Sequence, residues 1–326
     1  MVAAAREASV DMSVDLAGLR LPNPMMTASG CAANGRELHR FIDVAALGAF
    51  VTKSVQAEPV AGRGTPRMAE TPSGMLNSIG LQGPGMRAFV DEDLAWLHSI
   101  GARVVVSIAG STASEFARVA RTIVRSRYAS AVAAIEVNIS CPNVANRGLV
   151  FACDPGGAHK VLTLVREEVP RGLPMLAKLS PDVTDIVEIA DVVLRAGAHG
   201  LTMINTTLGV AIDTERLRPH LVAATGGLSG PAIRPMAVRA VWQVAGAMRE
   251  GRIKTAPIVG VGGVRHGHDA LELVAAGASA VQVGTAAFND PTAPRRVGVE
   301  LAELVAGHGF DRLADVVGIA HERFPG

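Results

Sequence analysis

Strand-like and helix-like segments alternate along nearly the whole chain, and this alternation limits the fold more than any other feature of the sequence. Short runs of Ala, Val, Ile and Leu predict eight strands: Pro24–Thr27, Ala49–Ser54, Arg103–Ile108, Ala134–Asn138, Met175–Leu179, Gly200–Asn205, Pro257–Val261 and Ala280–Gly284. Helical spacing predicts the segments Leu38–Ala46, Arg87–Ser99, Ser114–Ser126, Pro155–Val169, Asp185–Ala196, Pro235–Arg249, Asp269–Ala276 and Pro294–Ala306. The pattern indicates an α/β fold, specifically a (β/α)8 TIM barrel. No GxGxxG motif follows an early strand, which disfavours a doubly wound sheet.

Length and composition agree with one large barrel. Of the 326 residues, 49% are hydrophobic but only 3% are aromatic, so the core is built from the small aliphatic residues that fill parallel sheets. We expect a leader over residues 1–12 and a single domain over residues 13–326. Val14–Leu21 predicts a hairpin around Gly18. Within the fifth helix region, Thr184 is the expected N-cap of Asp185–Ala196 and Gly197 its stop.

Two long segments interrupt the alternation. Gln56–Gly85 follows the second strand and Thr206–Pro235 follows the sixth, and both are rich in Gly and Pro. Loops this long are uncommon unless they have a function. Because both leave the carboxyl ends of strands, where barrel enzymes carry their active sites, we expect them to cap that face.

Charge and cysteine content exclude several classes of protein. The formal net charge of +1 gives no basis for binding nucleic acid or an anionic membrane. Three widely spaced cysteines are typical of free thiols in a reducing cytoplasm, and they are too few to hold an iron–sulfur cluster. No apolar signal-peptide core or membrane-spanning run is present, so a cytoplasmic protein is expected. The scattered histidines have no metal-binding spacing, and no metal site is predicted.

Polar residues and glycines stand at the carboxyl ends of the strands, which a barrel would bring together. They are Ser29, Lys53, Ser54, Ser107, Asn138, Lys178, Asn205, Thr206, Gly262, Gly263, Gly284 and Thr285. Gly262–Gly263 and Gly284–Thr285, which follow the last two strands, are typical of a phosphate-binding face, although glycines also simply turn the chain. Two lysines at strand ends suggest an electron-rich ligand or a Schiff base.

The segment EVNISCPN at 136–143 carries the most chemistry. It ends a strand with Asn138 and continues to Cys141 and Asn143. Two amides can hold a planar, hydrogen-bonding substrate, and a thiol can move a proton. A lone cysteine is more often a buried structural residue, so the thiol gains weight only from the residues that surround it.

These motifs, taken in order, resemble the class 1B dihydroorotate dehydrogenases. The similarity covers about residues 13–320. It is carried by ASG at 28–30, TKS at 52–54, TPSGMLNSIGLQGPG at 71–85, EVNISCPNV at 136–144, AKLSPDVTDIVEIA at 177–190, GLTMINTT at 200–207, TGGLSGPAIRP at 225–235, GVGGV at 260–264 and VQVGTA at 281–286. So many motifs in one order are specific, whereas each alone is weak.

The resemblance implies FMN-dependent oxidation of (S)-dihydroorotate to orotate in pyrimidine biosynthesis, with Cys141 as the catalytic base. The residues implied to bind the substrate are Lys53, Asn77, Ser78, Ile79, Gly80, Leu81, Asn138, Asn143, Asn205 and Thr206. Those implied to bind FMN are Ser29, Lys53, Ser54, Asn138, Lys178, Ile204, Gly230, Gly262, Gly263, Gly284 and Thr285. Residues 144–153 would form a lid, which is a third capping insertion, after the fourth strand.

The resemblance also implies partners. Class 1B enzymes work with a second subunit that carries FAD and a 2Fe–2S cluster and passes electrons to NAD, and their catalytic subunits form a homodimer. Two features depart from the class. Ser107 stands where class 1B enzymes usually have Asn, whereas class 1A enzymes, which use fumarate, have a similar Ser-Ile-Ala-Gly. Residues 144–153 differ from the usual lid. A fumarate-linked enzyme and a flavoenzyme acting on another reduced pyrimidine, as dihydropyrimidine dehydrogenase does, are therefore alternatives. A phosphate-binding lyase with Lys178 as Schiff base, which would be colourless, and a non-catalytic binding subunit are more distant ones.

Overall fold

The computed structural model describes residues 10–140 and 151–322 and contains the predicted barrel. Its eight parallel strands are β1 (Met25–Thr27), β2 (Phe50–Val51), β3 (Val104–Ile108), β4 (Val132–Asn138), β5 (Met175–Lys178), β6 (Gly200–Met203), β7 (Ile258–Val261) and β8 (Ala280–Val283). Each strand is hydrogen-bonded to the next in chain order from β2 to β7, β8 pairs with β7, and β1 pairs with β8. An isolated bridge between Met26 and Ala49 brings the first two strands together. The predicted (β/α)8 barrel is confirmed, and each strand lies within two residues of its predicted limits except β2, which is shorter.

The strands are apolar because both of their faces are covered. Every residue of β3 is buried, and apart from Ser107 the strand consists of Val and Ile, which pack against the barrel interior on one face and the helices on the other. The polar exceptions within the strands are the informative ones. The buried polar residues within the otherwise aliphatic barrel strands are Thr27, Ser107, Glu136, Asn138, Lys178, Thr202 and Gln282.

The helices surround the barrel in the predicted order. The α-helices are Met86–Ala88, Ala95–Ser99, Ala113–Val124, Pro155–Glu168, Ile186–Arg195, Arg234–Arg249, Gly267–Ala276, Ala286–Asn289, Ala293–Gly307 and Ile319–Glu322. A π-helical segment, Phe89–Leu94, joins the first two of these, so the predicted helix over 87–99 is one helical stretch with a wide turn inside it. Among the described residues, no helix is long and apolar enough to cross a membrane.

Two local predictions are wrong. Leu38–Ala46 is not an α-helix but two single 3-10 turns, Leu38–Arg40 and Val44–Ala46, because the Asp43 side chain accepts a hydrogen bond from the Ala45 amide and starts a new turn. The N-cap of the fifth-region helix is Asp185 rather than Thr184, since the Asp185 carboxylate accepts from the amides of Val187 and Glu188.

A short hairpin lies near the start of the described chain. Val14–Leu16 pairs antiparallel with Leu19–Leu21, as predicted around Gly18. Before it, the Asp11 amide donates to the Asp311 carbonyl at 2.9 Å, and the Leu313 amide donates to the Asp11 carbonyl at 2.9 Å. The two ends of the described chain are therefore tied to each other.

The segments inserted after β2 and β6 build one antiparallel sheet, which we call the cap sheet. In spatial order its four strands are Thr207–Gly209, Gly226–Ser229, Gly74–Asn77 and Met68–Thr71. The second insertion thus supplies two neighbouring strands and the first insertion the other two. The sheet is joined to the barrel by a 2.8 Å hydrogen bond from the Thr285 hydroxyl, just after β8, to the Ser229 hydroxyl.

Candidate active site

A row of hydrogen-bonded polar side chains lies at the carboxyl ends of the strands. Asn138 donates through Nδ2 to the Ser54 hydroxyl at 3.0 Å and accepts through Oδ1 from Nδ2 of Asn205 at 3.2 Å. The Ser54 hydroxyl also lies 3.0 Å from Oγ of Ser107 and 3.3 Å from Oγ of Ser29. Five predicted strand-end positions, on strands that are far apart in sequence, are therefore in one connected network, which we call the polar row.

The two predicted lysines approach the same side of the barrel. Lys178 ends β5 and is 4% exposed, and Lys53 is half-buried, with its ammonium beside Gly30. Burial raises the pKa of the Cys31 thiol, and the charges of Lys178 and Lys53 both act to lower it. Both lysines thus act electrostatically on one half-buried thiol close to the end of β1.

Lys178 has an anionic partner inside the barrel. Its ammonium lies 3.8 Å from Oε1 of Glu136, a carboxylate that is 0% exposed. The other oxygen of Glu136, Oε2, accepts a 3.0 Å hydrogen bond from Nε2 of Gln282 across the barrel. Neither Glu136 nor Gln282 was predicted as a site residue. The available signal was a polar residue within a mainly apolar strand: Glu136 before the terminal Asn138 of β4, and Gln282 in β8.

The glycines after β7 are required by tight packing. Gly262 and Gly263 have φ values of +133° and +74°, in the region where L side chains are rare. A Cβ on Gly262 would lie 2.8 Å from Cβ of Ala237, and one on Gly263 would lie 2.5 Å from Cβ of Arg234. The loop therefore lies directly against the first turn of helix Arg234–Arg249.

The remaining predicted cofactor residues surround the end of β8. A Cβ on Gly284 would lie 3.1 Å from Cβ of Ala28, and a Cβ on Gly230 would lie 3.7 Å from Cγ2 of Thr285. Ile204 is buried after β6, and its amide donates to the Val261 carbonyl at 2.9 Å. The predicted cofactor residues from Ile204 to Thr285, 81 positions apart in the sequence, therefore lie around strands β6 to β8.

The cap sheet reaches the polar row through Thr206. The Thr206 amide donates to Oδ1 of Asn205 at 2.8 Å, and its side chain fills the space that a Cβ on Gly227 would need. The carbonyl of Gly227 in turn accepts from Nδ2 of Asn77 at 3.2 Å. Asn77, Thr206, Asn205 and the polar row are thus connected by direct contacts.

The rest of the predicted Asn77–Leu81 segment is held by a nearby arginine. Arg63 donates through Nη1 to the Ser78 hydroxyl at 2.9 Å and through its amide to the Ile79 carbonyl at 2.9 Å. Gly80 and Leu81 follow with positive φ values of +75° and +54°. Arg63 was not predicted, because an exposed arginine in a loop gives no local signal of its partner.

The predicted base Cys141, the predicted substrate ligand Asn143 and residues 144–150 of the predicted lid lie outside the described residues. The flanking chain is anchored on both sides. Before the gap, the Ser140 hydroxyl donates to the Lys178 carbonyl at 3.1 Å. After it, the Cys153 thiol donates to the Asp182 carbonyl at 3.2 Å. Both anchor points lie on β5 or on the loop that follows it.

A broad surface groove lies elsewhere and is not part of this site. It is lined by the ends of helices Ala113–Val124 and Pro155–Glu168 and by His199, which precedes β6. Arg166 there donates to the carbonyls of Val169 and Pro170 and so completes a helix end. Because strand C-termini carry the chemistry of a barrel, this groove at their N-terminal ends is not the candidate site.

Comparison with known proteins identifies the family. The sequence model for dihydroorotate dehydrogenase matches residues 11–305. The chain belongs to the dihydroorotate dehydrogenase family. It is 46% identical, over 94% of its length and 97% of the relative, to the protein of Geobacter sp. (strain M21) named dihydroorotate dehydrogenase B (NAD(+)), catalytic subunit. Proteins of the same name from Citrifermentans bemidjiense and Geotalea daltonii are 47% and 45% identical over 94% and 95% of the chain and 97% and 98% of the relatives.

The family and the fold agree with each other. The chain is an enzyme of the dihydroorotate dehydrogenase family, and the resemblance to its class 1B catalytic subunits is confirmed. The polar row, the two lysines and the loops after β7 and β8 lie on the barrel face where such enzymes carry out their chemistry. The site can therefore be interpreted as that of an oxidoreductase.

Proposed function

We propose that this chain is the catalytic subunit of a cytoplasmic, NAD-linked dihydroorotate dehydrogenase, which oxidises (S)-dihydroorotate to orotate in the biosynthesis of UMP. The observation that carries the proposal is the 43% to 47% identity, over most of the chain, to relatives that all bear the name of this subunit. The polar row supports it independently, because amides and hydroxyls in a line suit a planar ring with alternating donors and acceptors.

We propose FMN as the cofactor, and the donor set fits it. Lys53, Ser54, Asn138 and Lys178 offer donors and acceptors suited to the carbonyl and imide groups of a flavin ring. Ser29 and Ile204 would contact it from the ends of the neighbouring strands. The amides near Gly230, Gly262, Gly263, Gly284 and Thr285 would hold the phosphate, as loops after the last two strands of barrels commonly do. Bound flavin would supply the two-electron acceptor that side chains lack.

We propose Cys141 as the general base. It would take the proton from carbon-5 of dihydroorotate as hydride leaves carbon-6 for the flavin, so that two C–H bonds break and one C=C bond forms. A thiol with an ordinary pKa of about 8.5 is a workable base when a cation assists it. A hydrogen bond of the preceding residue supports this role. The Ser140 hydroxyl donates to the Lys178 carbonyl and so anchors the chain beside a lysine.

We propose that the substrate contacts the polar row from the side of the cap sheet. Asn138, Asn205 and Thr206 would hydrogen-bond to the ring of the substrate, and Asn143 would add an amide. Lys53 and the segment 77–81 would hold the substrate carboxylate with one ammonium and several backbone amides. The contacts from Asn205 through Thr206 to Asn77 support this arrangement, since they fix the polar row and the cap sheet relative to each other.

We further propose two protein partners. The word NAD(+) in the names of the relatives, together with the resemblance, supports a separate subunit with FAD and a 2Fe–2S cluster that takes electrons from this chain. A homodimer is the other proposal. The segment inserted after β6 exposes large apolar side chains, which a second copy would cover: Leu208, Val210, Ile212 and Leu217. Sedimentation velocity of the purified chain tests the dimer.

A fumarate-linked enzyme is the second candidate, and one observation favours it. Ser107, in the class 1A-like sequence Ser-Ile-Ala-Gly, is fully buried and bonded to Ser54, so it is an integral part of the polar row. Steady-state assays with fumarate and with NAD as acceptor separate the two candidates, because only a fumarate-linked enzyme would turn over rapidly with fumarate.

The deciding experiment is anaerobic mixing of the purified chain with dihydroorotate. The flavin absorbance near 450 nm is expected to bleach within a turnover, and orotate is expected to appear in equal amount. The Cys141→Ala variant is the matched control, which should hold flavin and stay oxidised. Bleaching by dihydrouracil but not by dihydroorotate would assign the enzyme to another reduced pyrimidine. A colourless protein that forms a borohydride-reducible adduct with a carbonyl substrate would overturn the flavoenzyme proposal.

A further inference from the structure

The buried carboxylate of Glu136 has no role in the function proposed above. It is 0% exposed in the middle of the barrel, in register with Ser107 on β3 and Leu176 on β5. Barrel interiors are normally filled by branched apolar side chains. Burying a carboxylate is costly unless it is paired and hydrogen-bonded, so an ionisable group at this position needs an explanation.

The hydrogen bonds of Glu136 are incomplete. Oε2 accepts from Gln282, but Oε1 has no hydrogen-bond partner among the described residues, and neither does Oε1 of Gln282. The contact from Oε1 of Glu136 to the Lys178 ammonium is 3.8 Å, which is an ion contact and longer than a hydrogen bond. A neutral glutamine at position 136 would keep an acceptor for Nε2 of Gln282 without the cost of burying a charge, so the hydrogen bond to Gln282 does not account for the carboxylate.

Lys178 connects Glu136 to the proposed flavin site. It is the last residue of β5, in register with Asn138 of the polar row and with Thr202 on β6. The carboxylate lies one inward position earlier on β4, below the ammonium. With FMN bound as proposed, the Lys178 ammonium would stabilise the negative charge that a reduced flavin carries. Glu136 and the flavin would therefore share one cation.

We propose that Glu136 is a positioning residue that holds Lys178 and lowers the reduction potential of the bound flavin. This inference rests on the proposed FMN cofactor. Because the carboxylate already neutralises part of the lysine charge, negative charge added to the flavin is stabilised less than by an unpaired lysine. A flavin that gives up its electrons more readily suits an enzyme whose final acceptor is NAD. Gln282 moderates the effect by donating a hydrogen bond to the carboxylate.

The test is the midpoint potential of FMN bound to Glu136→Gln. Glutamine keeps the length of the side chain, and its oxygen can still accept from Nε2 of Gln282, so the change removes charge with little change of shape. Anaerobic photoreduction with a reference dye, without dihydroorotate, is expected to show the reduction equilibrium shifted at least tenfold toward reduced flavin, which is about +30 mV for a two-electron couple. An unchanged or lower potential would overturn the inference.

Thr202→Val is the matched control. Thr202 is equally buried and in register with Lys178, and its hydroxyl has no hydrogen-bond partner in the described part of the chain. Because this variant removes a neutral polar atom beside the same lysine, the reduction equilibrium of its flavin is expected to stay within threefold of that of the wild type. A shift equal to that of Glu136→Gln would mean that any disturbance of the interior moves the potential, and would overturn the specific role of Glu136.

A second variant keeps the inference testable if Glu136→Gln does not fold. Gln282→Met removes the donor to Oε2 and leaves the charge of the carboxylate less shielded, so the expected shift has the opposite sign, toward oxidised flavin by threefold or more. No shift, or a shift toward reduced flavin, would overturn the proposal. Wild-type protein that binds no FMN would refute the cofactor and this inference with it, whereas normal FMN binding with an unmoved potential in the variants refutes this inference alone.

Discussion

Ser54→Ala should be one of the more destabilising single-atom changes at this site. The Ser54 hydroxyl uses its full capacity, because it accepts from Asn138 and exchanges hydrogen bonds with Ser107 and Ser29. After the change, the buried Asn138 amide and the fully buried Ser107 hydroxyl lose their partner. Each unsatisfied group costs about 1–3 kcal/mol, so the free energy of unfolding should fall by about 3 kcal/mol.

Two companion variants separate this explanation from a general loss of packing. Ser29→Ala removes only the 3.3 Å contact of a half-buried residue that water can reach, so it should cost less than about 1 kcal/mol. The double variant Ser54→Ala/Ser107→Ala removes the hydroxyl that the single variant leaves unsatisfied. Its free energy of unfolding should therefore lie at most about 0.5 kcal/mol below that of Ser54→Ala. The effects of the two substitutions would then not be additive.

Urea unfolding of the FMN-free proteins, followed by circular dichroism, measures these differences. The flavin must be absent because Ser54 is a proposed FMN ligand, and weaker binding would itself lower the apparent stability. If Ser54→Ala is within about 0.5 kcal/mol of wild type, or if Ser29→Ala is equally destabilised, the polar row is not the cooperative network inferred from its hydrogen bonds.

Three further predictions concern catalysis and pH. Cys141→Ala should abolish dihydroorotate-dependent bleaching of the flavin but keep FMN bound. Cys141→Ser should leave slow turnover that grows at high pH, because a hydroxyl is a weaker acid than a thiol. Stopped-flow absorbance measures both, and full activity in the alanine variant would remove Cys141 from the mechanism. The isolated chain should reduce NAD poorly, as followed by NADH absorbance, and rapid reduction would refute the need for a partner. The Ser111 hydroxyl holds the pKa of Glu115 below its ordinary value of 4.5, so this stabilisation is fully present above pH 4.5 and is lost as the pH falls through the folded pKa. Ser111→Ala should therefore lower the free energy of unfolding by less than about 1 kcal/mol at pH 7 and by less still near pH 3, and an equal loss at both would contradict the assignment.

The barrel could be predicted because its strands carry a strong local signal. The strand Val104–Ile108 is Val or Ile at every position except Ser107, since a parallel strand is covered on both faces. The segment Leu38–Ala46 misled the prediction because Leu38 and Ile42 have helical spacing and are both buried. The competing hydrogen bond from Ala45 to the side chain of Asp43 is local, but spacing alone does not reveal which of the two alternatives the chain adopts.

The site was predictable only where position along a strand sufficed. Ser54, Asn138 and Asn205 follow strands, and barrel geometry alone brings strand ends together. Glu136 and Gln282 were missed because their interaction joins residues 146 positions apart across the barrel interior. Whether an inward polar residue finds a partner depends on which strands face each other, and on their register, and a single strand does not carry that information.

The cap sheet has a consequence for the exchange of parts between related enzymes. Its central strands, Gly74–Asn77 and Gly226–Ser229, come from segments about 150 residues apart and pair residue by residue. A chimera that takes one insertion from a relative and keeps the other would mismatch that register along a whole strand edge. The two insertions should therefore be exchangeable between related enzymes only as a pair. Attempts to alter substrate choice by grafting loops should succeed only when both insertions come from the same relative.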